Sequence, residues 1–130
     1  MKEIKFRAWD GVDYMSNPFT LHDIQDGKIE FTHDEKIVFM QYTGLKDKNG
    51  VEIYKGDIML IKERGANYPL KYIVVFNEPE LGFRLRWEGR YKETDSGFYD
   101  KKISQSSYEV FEIIGNIYSN PELLNSDKEV

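Results

Sequence analysis

Two tight turns placed close together in the middle of the chain, within residues 42–57, constrain its fold more than any other feature. The first turn contains Asn49-Gly50, and these two residue types tolerate the positive φ angles that short β-hairpin loops need. The second contains Gly56 and is followed directly by Asp57. Apolar residues flank both turns. The stretch therefore predicts a strand, a hairpin, a second strand, a sharp turn and a third strand, as at the centre of a small β-barrel or curled sheet.

Further strands are predicted where apolar residues recur with strand periodicity. The clearest pattern is Phe-Arg-Leu-Arg-Trp at residues 83–87, in which Trp87 is expected inside the protein. Residues 70–76 form the most β-prone run of the chain, and the apolar run at residues 37–40 is compatible with a strand buried on both faces. Asp26-Gly27 predicts another hairpin. The sequence as a whole indicates a mainly β protein.

Composition limits the class of protein further. Hydrophobic residues make up 40% of the 130 residues, which is enough to close a core without disulfides. The absence of cysteine excludes thiolate chemistry. No apolar run approaches the roughly 20 residues that span a bilayer, and the N-terminus lacks the apolar region of a signal peptide. We therefore expect a cytoplasmic protein with no membrane partner.

The chain offers little catalytic or metal-binding chemistry. His22 and His33 are too far apart in a chain without cysteine to suggest a metal site, and no phosphate loop or dinucleotide fingerprint is present. We expect no metal and no cofactor. Among the many carboxylates Asp57 is the most interesting, because it opens a strand at a tight turn. Accepting backbone N–H bonds there is the expected role, and carboxylate catalysis is the less favoured alternative.

A basic segment provides a second functional alternative. Four cations are found within residues 84–92, namely Arg84, Arg86, Arg90 and Lys92. Side chains two positions apart share one face of a strand, so the first two arginines are expected together. Basic and aromatic groups on one surface can bind single-stranded nucleic acid. A solvated strand face balanced by acidic neighbours is the favoured interpretation, because the whole chain carries a net charge of −5.

Three segments, in the right order along nearly the full chain, resemble the YopX family of small phage and prophage proteins: Ile4-Lys5-Phe6-Arg7-Ala8-Trp9-Asp10, Gln41-Tyr42-Thr43-Gly44-Leu45-Lys46-Asp47 through Asp57-Ile58, and Ile114-Gly115-Asn116-Ile117-Tyr118 with Asn120-Pro121-Glu122-Leu123-Leu124. The resemblance implies a phage or prophage origin and a C-terminal part similar to an SH3-type barrel. It assigns no catalytic residue. With it we predict an N-terminal β section (residues 1–40) packed on an SH3-like barrel (41–118). Residues 119–130 are then expected to form a short helical turn near 120–124 and a frayed tail from 125.

The expected function is that of a non-enzymatic accessory protein acting through protein–protein contacts. Its partners would be itself, as a homo-oligomer, and a host or phage protein. Open β sections leave strand edges with unpaired backbone groups. If residues 70–76 and 113–118 form central strands, the edges fall to the N-terminal strands or to residues 98–103. We therefore expect a neighbouring subunit to cover one of those two edges.

Overall fold

The computed structural model describes residues 3–29, 36–63, 65–78, 81–90, 100–103 and 109–128. Within these ranges the protein is mainly β, as predicted, and the helices are short. The strands are β1 (Phe6–Trp9), β2 (Val38–Lys46), β3 (Glu52–Tyr54), β4 (Asp57–Glu63), β5 (Leu70–Asn77), β6 (Gly82–Trp87), β7 (Lys101–Lys102) and β8 (Glu109–Asn116), and the helices are α1 (Leu21–Gln25) and two 3-10 helices (Glu88–Arg90 and Pro121–Lys128).

The described strands form two antiparallel sheets. The first has three strands in the order β1-β2-β3, and the second has five in the order β7-β6-β5-β4-β8. The β-prone run at residues 70–76 is central strand β5, and the alternating run at residues 83–87 lies in its neighbour β6. The division of the chain at residue 40 stays a prediction; β2 runs across that position.

The two central turns form as the sequence predicts. Gly50 has a φ of +80° in the loop between β2 and β3, and Gly56 has a φ of +90° in the turn between β3 and β4. Asp47 organises the first loop, since its Oδ1 accepts hydrogen bonds from the N–H groups of Asn49 (2.8 Å) and Val51 (3.0 Å). The stretch from Tyr42 to Asp57 therefore links the two sheets through two glycine-containing turns.

The centre of the five-stranded sheet is buried on both faces. On one face Met59, Val74 and Leu85 pack with Ile53 of the first sheet in a shared core. On the other face Ile58, Ile73 and Val75 are covered by the end of the chain, including Leu123 and Leu124 of the C-terminal 3-10 helix. Burial on both faces explains why the sequence of β5 shows a continuous apolar run instead of alternation.

The N-terminal region contains a helix where a hairpin was expected. Thr20 accepts from the N–H of Asp23 (3.3 Å) and its own N–H donates to the Asp23 carboxylate (2.8 Å), which together cap the start of α1. Asp26 ends the helix and Gly27 follows with a φ of +71°. The Asp26-Gly27 hairpin prediction was wrong, because a glycine with positive φ also terminates helices.

The strand edges are arranged differently from the expectation. The chain itself covers the edge of β1, where Phe6 and Phe19 exchange backbone hydrogen bonds of 2.9 and 2.8 Å and Trp9 bridges Met15. Among the described strands, β8 lies at the edge of its sheet and not at its centre. The β2–β3 loop protects part of it through Asp47, whose Oδ2 accepts from the N–H of Ile113 (3.1 Å). The chain itself thus supplies two backbone bridges along the β1 edge, and covering of an edge by a neighbouring subunit stays a prediction.

No helix in the residues that the structure describes is long and apolar enough to cross a membrane.

Candidate functional site

Two adjoining pockets lie where the first sheet meets the end of β5. The first, of about 280 Å³, is lined by Phe6 and Phe39 of the three-stranded sheet and by Phe83 of β6. The second, of about 260 Å³, is lined by residues that include Met40, Ile73, Ile117 and Tyr118. Both pockets are lined by Lys55 and Phe76, so they meet at these two residues. We call the two pockets together the aromatic groove.

Two phenylalanines of the groove are exposed to solvent. Phe39 is 48% exposed and Phe76 is 38% exposed. The ring of Phe76 packs edge-to-face on Phe83, with centroids 5.6 Å apart, and the ring of Phe39 packs edge-to-face on Phe19. These contacts hold the rings in place while leaving apolar surface in water. Clustered exposed apolar surface on a folded protein marks a binding surface, whereas isolated exposed residues do not.

Strand geometry explains why Phe39 faces outward. Its neighbour Met40 is 1% exposed, and successive side chains of a strand point to opposite faces of the sheet. One face of β2 therefore enters the core and the other presents Phe39 to the groove. The expectation that residues 37–40 are buried on both faces was wrong for this reason.

The cations around the groove differ in their pairing. Arg7 forms an ion pair of 2.6 Å with Asp57, and Arg86 forms one of 2.8 Å with Asp100. Lys55 lies between the two pockets, is exposed, and has no carboxylate partner among the described residues. The groove therefore combines aromatic and aliphatic side chains with an exposed lysine that has no carboxylate partner among the described residues.

Asp57 holds the second turn, which is the role expected from the sequence. Its Oδ2 accepts from the backbone N–H of Tyr54 (2.7 Å), and its Oδ1 accepts from Nη2 of Arg7 (2.6 Å). Burial raises the pKa of this carboxyl above its ordinary value, although the Arg7 guanidinium and the Tyr54 N–H act in the opposite direction. Because the residue is only 1% exposed, a substrate in solution cannot contact it. Asp57 is therefore suited to structure and not to the carboxylate catalysis considered above.

A network of charged and aromatic side chains fastens β1 to the rest of the protein near the groove. Lys5 pairs with Glu52, and its ammonium lies 5.0 Å from the ring centre of Tyr42. The Arg7 guanidinium lies 4.9 Å from the ring centre of Tyr54. Within the described residues, Nε of Arg7 is the buried side-chain polar atom that lacks a hydrogen bond. These contacts hold β1, and with it Phe6, against the groove.

The basic segment is only partly a surface feature. Arg84 and Arg86 share one face of β6, as predicted, but Arg86 is 7% exposed and donates through Nε and Nη2 to the two carboxylate oxygens of Asp100, both at 2.8 Å. Trp87, expected inside, is 43% exposed. The side chain of Arg90 and all of Lys92 lie outside the described residues. Of the four predicted nucleic-acid contacts, the structure thus places Arg84 and Arg86 on one face, with the Arg86 guanidinium occupied by a carboxylate.

The sequence reasoning missed the groove because its walls come from distant parts of the chain. The pairing of β1 with β2 places Phe39 opposite Ala8 and diagonally across from Phe6, whereas Phe76 and Phe83 are cross-strand partners in the other sheet. The available local signal was the alternation at Phe39 and Met40, which places one of two neighbouring apolar residues at the surface.

Comparisons with known proteins support the family resemblance. The family model described as YopX protein matches residues 16–125. Protein EF1440 from Enterococcus faecalis has a similar crystal structure, with a TM-score of 0.52, 24% sequence identity, and coverage of 95% of this chain and 99% of that one. The crystal structure of yopX from Bacillus subtilis gives a TM-score of 0.54 at 17% identity, covering 92% of this chain and 96% of that one. No curated protein matches the chain.

Proposed function

Since the chain belongs to the YopX family, we propose that it is a non-enzymatic accessory protein of a phage or prophage, which acts in the host cytoplasm by binding another protein through the aromatic groove. The observation that carries the proposal is the pair of exposed phenylalanines, Phe39 and Phe76, held on opposite sides of one open groove. Aromatic side chains are enriched in the cores of protein interfaces.

The size of the pockets favours a protein partner over a small molecule. Pockets for small ligands usually enclose about 300–1,000 Å³. Each pocket alone falls just below that range, at about 280 and 260 Å³, and the two reach it only when they are joined into one open groove. Pockets of this size accommodate one or two side chains of a partner. Two of them in a row suit a short segment of polypeptide better than a single compact ligand.

We also propose that residues 41–118 form an SH3-like barrel. The shared core that joins Ile53 to Met59, Val74 and Leu85 supports this, because it packs the hairpin of the first sheet against the second sheet. A hydrogen bond of 3.0 Å from the N–H of Lys48 to the carbonyl of Phe111 further joins that hairpin to β8. In this arrangement the groove lies on the outside of the barrel, beside β1.

Self-association is the second part of the proposal. With the chain itself bridging the β1 edge, strand β7 remains the candidate from the predicted 98–103 segment, since it ends the five-stranded sheet among the described residues. Residues 98 and 99 of that segment lie outside the described residues. No further strand lies outside β7 in the part of the chain that the structure describes, and pairing between subunits uses such a sheet end. We therefore propose a homo-oligomer that pairs through the β7 edge, leaving the aromatic groove open for a different partner.

The single-stranded nucleic-acid alternative has less support than the groove. Phosphate binding needs cationic groups that are free to meet the backbone of the nucleic acid. Both carboxylate oxygens of Asp100 accept hydrogen bonds from the guanidinium of Arg86. These bonds occupy two of the three guanidinium nitrogens, Nε and Nη2. Arg84, Arg90 and Lys92 would have to supply the remaining contacts.

Affinity capture from lysogenic or phage-infected cells tests the proposed function. Wild-type protein should retain a partner that the Phe39→Ser variant loses, because serine removes apolar surface from the groove. Val110→Ser is the matched control, since Val110 is 49% exposed and lies on β8 away from the groove. Nuclease treatment should leave the capture unchanged. Loss of the partner after nuclease, or equal retention by wild type and Phe39→Ser, would contradict the proposal.

A further inference from the structure

We propose that Asn49 is a site of slow covalent modification, where the loop between β2 and β3 controls the conversion of this asparagine to aspartate and isoaspartate. The site does not line the aromatic groove and does not depend on the function proposed above. Three features of the loop carry the proposal: the residue that follows Asn49, the exposure of the loop, and a hydrogen bond that holds the attacking nitrogen.

The reaction needs a backbone nitrogen beside an asparagine side chain and no reactant other than water. The nitrogen of Gly50 attacks the side-chain carbonyl carbon of Asn49, and a new C–N bond forms. The bond from that carbon to the side-chain amide nitrogen breaks, and this nitrogen leaves as ammonia with the proton lost from Gly50. Water then opens the resulting succinimide ring at one of its two carbonyls. The product is aspartate, or isoaspartate when the main chain continues through the former side chain.

Glycine at position 50 gives the attacking nitrogen its access, because glycine has no Cβ atom to crowd the ring that forms. Every other asparagine of the chain is followed by a larger residue. A Cβ atom built on Gly50 would meet no heavy atom within 4 Å, so the space beside the loop is open. Asn49 and Gly50 are both exposed, which admits water and base. Asn49 is therefore the asparagine at which the reaction meets the least steric resistance.

The folded loop opposes the reaction at the attacking nitrogen itself. The N–H of Gly50 donates to the carbonyl oxygen of Asp47 at 3.0 Å, so the nitrogen keeps its proton and is held toward Asp47. Oδ1 of Asp47 also accepts from the N–H groups of Asn49 (2.8 Å) and Val51 (3.0 Å), which fixes the backbone on both sides of the reacting pair. Conversion therefore requires the loop to open, and its rate follows the fraction of time that the loop is open.

The modification has a consequence for the edge of β8. Isoaspartate at position 49 lengthens the main chain by one carbon inside a hydrogen-bonded loop. Two contacts join this loop to β8: Oδ2 of Asp47 accepts from the N–H of Ile113 (3.1 Å), and the N–H of Lys48 donates to the carbonyl of Phe111 (3.0 Å). The longer main chain strains both contacts. A transient opening of the loop is thus converted into a lasting loosening of the loop from β8.

Peptide mapping by mass spectrometry, during incubation at mildly alkaline pH, measures conversion at Asn49 in the folded protein and in the same chain unfolded in urea. The unfolded chain should convert at least about fivefold faster, the factor that one hydrogen bond of average strength provides. Asp47→Ala should speed conversion in the folded protein, because it removes both Oδ1 contacts. The milder Asp47→Asn should fall between Asp47→Ala and wild type. Asp10→Ala is the matched control, since Asp10 accepts three N–H bonds in a different exposed loop.

Absence of conversion at Asn49 in the unfolded chain would overturn the site itself. Equal rates in the folded and unfolded chains, or in wild type and both Asp47 variants, would overturn its control by the loop. Hydrogen exchange tests the consequence for β8. The Ile113 amide should exchange faster in aged protein that contains isoaspartate than in fresh Asn49→Asp, which has the added charge without the added carbon. Equal exchange in these two proteins would contradict the loosening of the loop from β8.

Discussion

Gly50 is the residue whose conformation follows most directly from its sequence context. It has a φ of +80°, and a Cβ atom added there would meet no heavy atom within 4 Å. Any cost of substitution therefore comes from the backbone and not from crowding. A β-branched residue strongly resists positive φ, because its side chain clashes with its own backbone.

We expect Gly50→Val to reduce the free energy of unfolding by about 1–3 kcal/mol, the usual cost of holding such a residue in a disfavoured conformation. Gly50→Asn should cost less, because asparagine tolerates positive φ. Urea unfolding of the two variants beside wild type measures both effects. Equal stability of the valine variant and wild type would mean that residue 50 does not need a positive φ.

Individual residues also show where sequence reasoning fails. The sequence predicts an exposed Arg86 and a buried Trp87, and the structure shows the opposite. Alternation in β6 predicts which residues share a face of the sheet but not how deeply each face is covered. Arg86 is buried since Asp100, far along the chain, supplies a carboxylate, while Trp87 near the end of the strand stays 43% exposed. Such long-range partners leave no trace in the local pattern.

At the scale of secondary-structure elements, Asp47 connects the central hairpin to β8. Burial alone would raise the pKa of its carboxyl, but the N–H groups of Ile113, Val51 and Asn49 outweigh burial and hold the pKa below its ordinary value of 3.8. A carboxyl whose pKa is lowered in the folded state stabilises the protein at pH values above the carboxyl's ordinary pKa. That stabilisation is lost as the pH falls through the pKa of the folded state.

The Asp47→Asn variant should therefore be less stable than wild type by about 2 kcal/mol at neutral pH, the scale of hydrogen bonds to a charged group. The difference should shrink at pH values well below 3.8. Asp10→Asn is the matched control. Asp10 also accepts hydrogen bonds from three backbone N–H groups, but all three belong to one exposed loop, so this substitution should reduce the free energy of unfolding by less. Urea unfolding across this pH range measures the difference. A gap between wild type and Asp47→Asn that does not vary with pH would contradict the assigned role.

The elements that could be predicted are those with local signals. The hairpin at Asn49-Gly50, the strands β5 and β6 and the helical turn after Asn120 each follow from turn residues, strand patterns or a helix start. Strand order could not be predicted, because it depends on contacts between distant segments. The position of β8 at a sheet edge, contacted by the loop at Asp47, is the clearest case.

At the scale of the whole molecule, the two sheets create a surface that neither one has alone. The three-stranded sheet supplies Phe39, the five-stranded sheet supplies Phe76, and the turn that joins β3 to β4 places Lys55 between them. A mainly β fold and the family were predictable from the sequence. The groove was not, since it exists only once the sheets are packed together.

The proposed self-association also belongs to this scale. Multi-angle light scattering at micromolar concentration should give a multiple of the 15.4 kDa chain mass, because the β7 edge is expected to pair with a neighbour. The Phe39→Ser variant should give the same mass, since the groove is not part of that contact. A mass of one chain across the concentration range would end the homo-oligomer proposal.

The central claim is that the aromatic groove is where this protein meets its partner. Photocrosslinking in lysogenic cells tests it most directly, with p-benzoylphenylalanine placed at Phe39 in the groove or at Val110 on β8. Both positions are about equally exposed, at 48% and 49%, so exposure alone does not distinguish them. The claim predicts a discrete protein adduct from position 39 and none from position 110. The same adduct from both positions, or from position 110 alone, would contradict it.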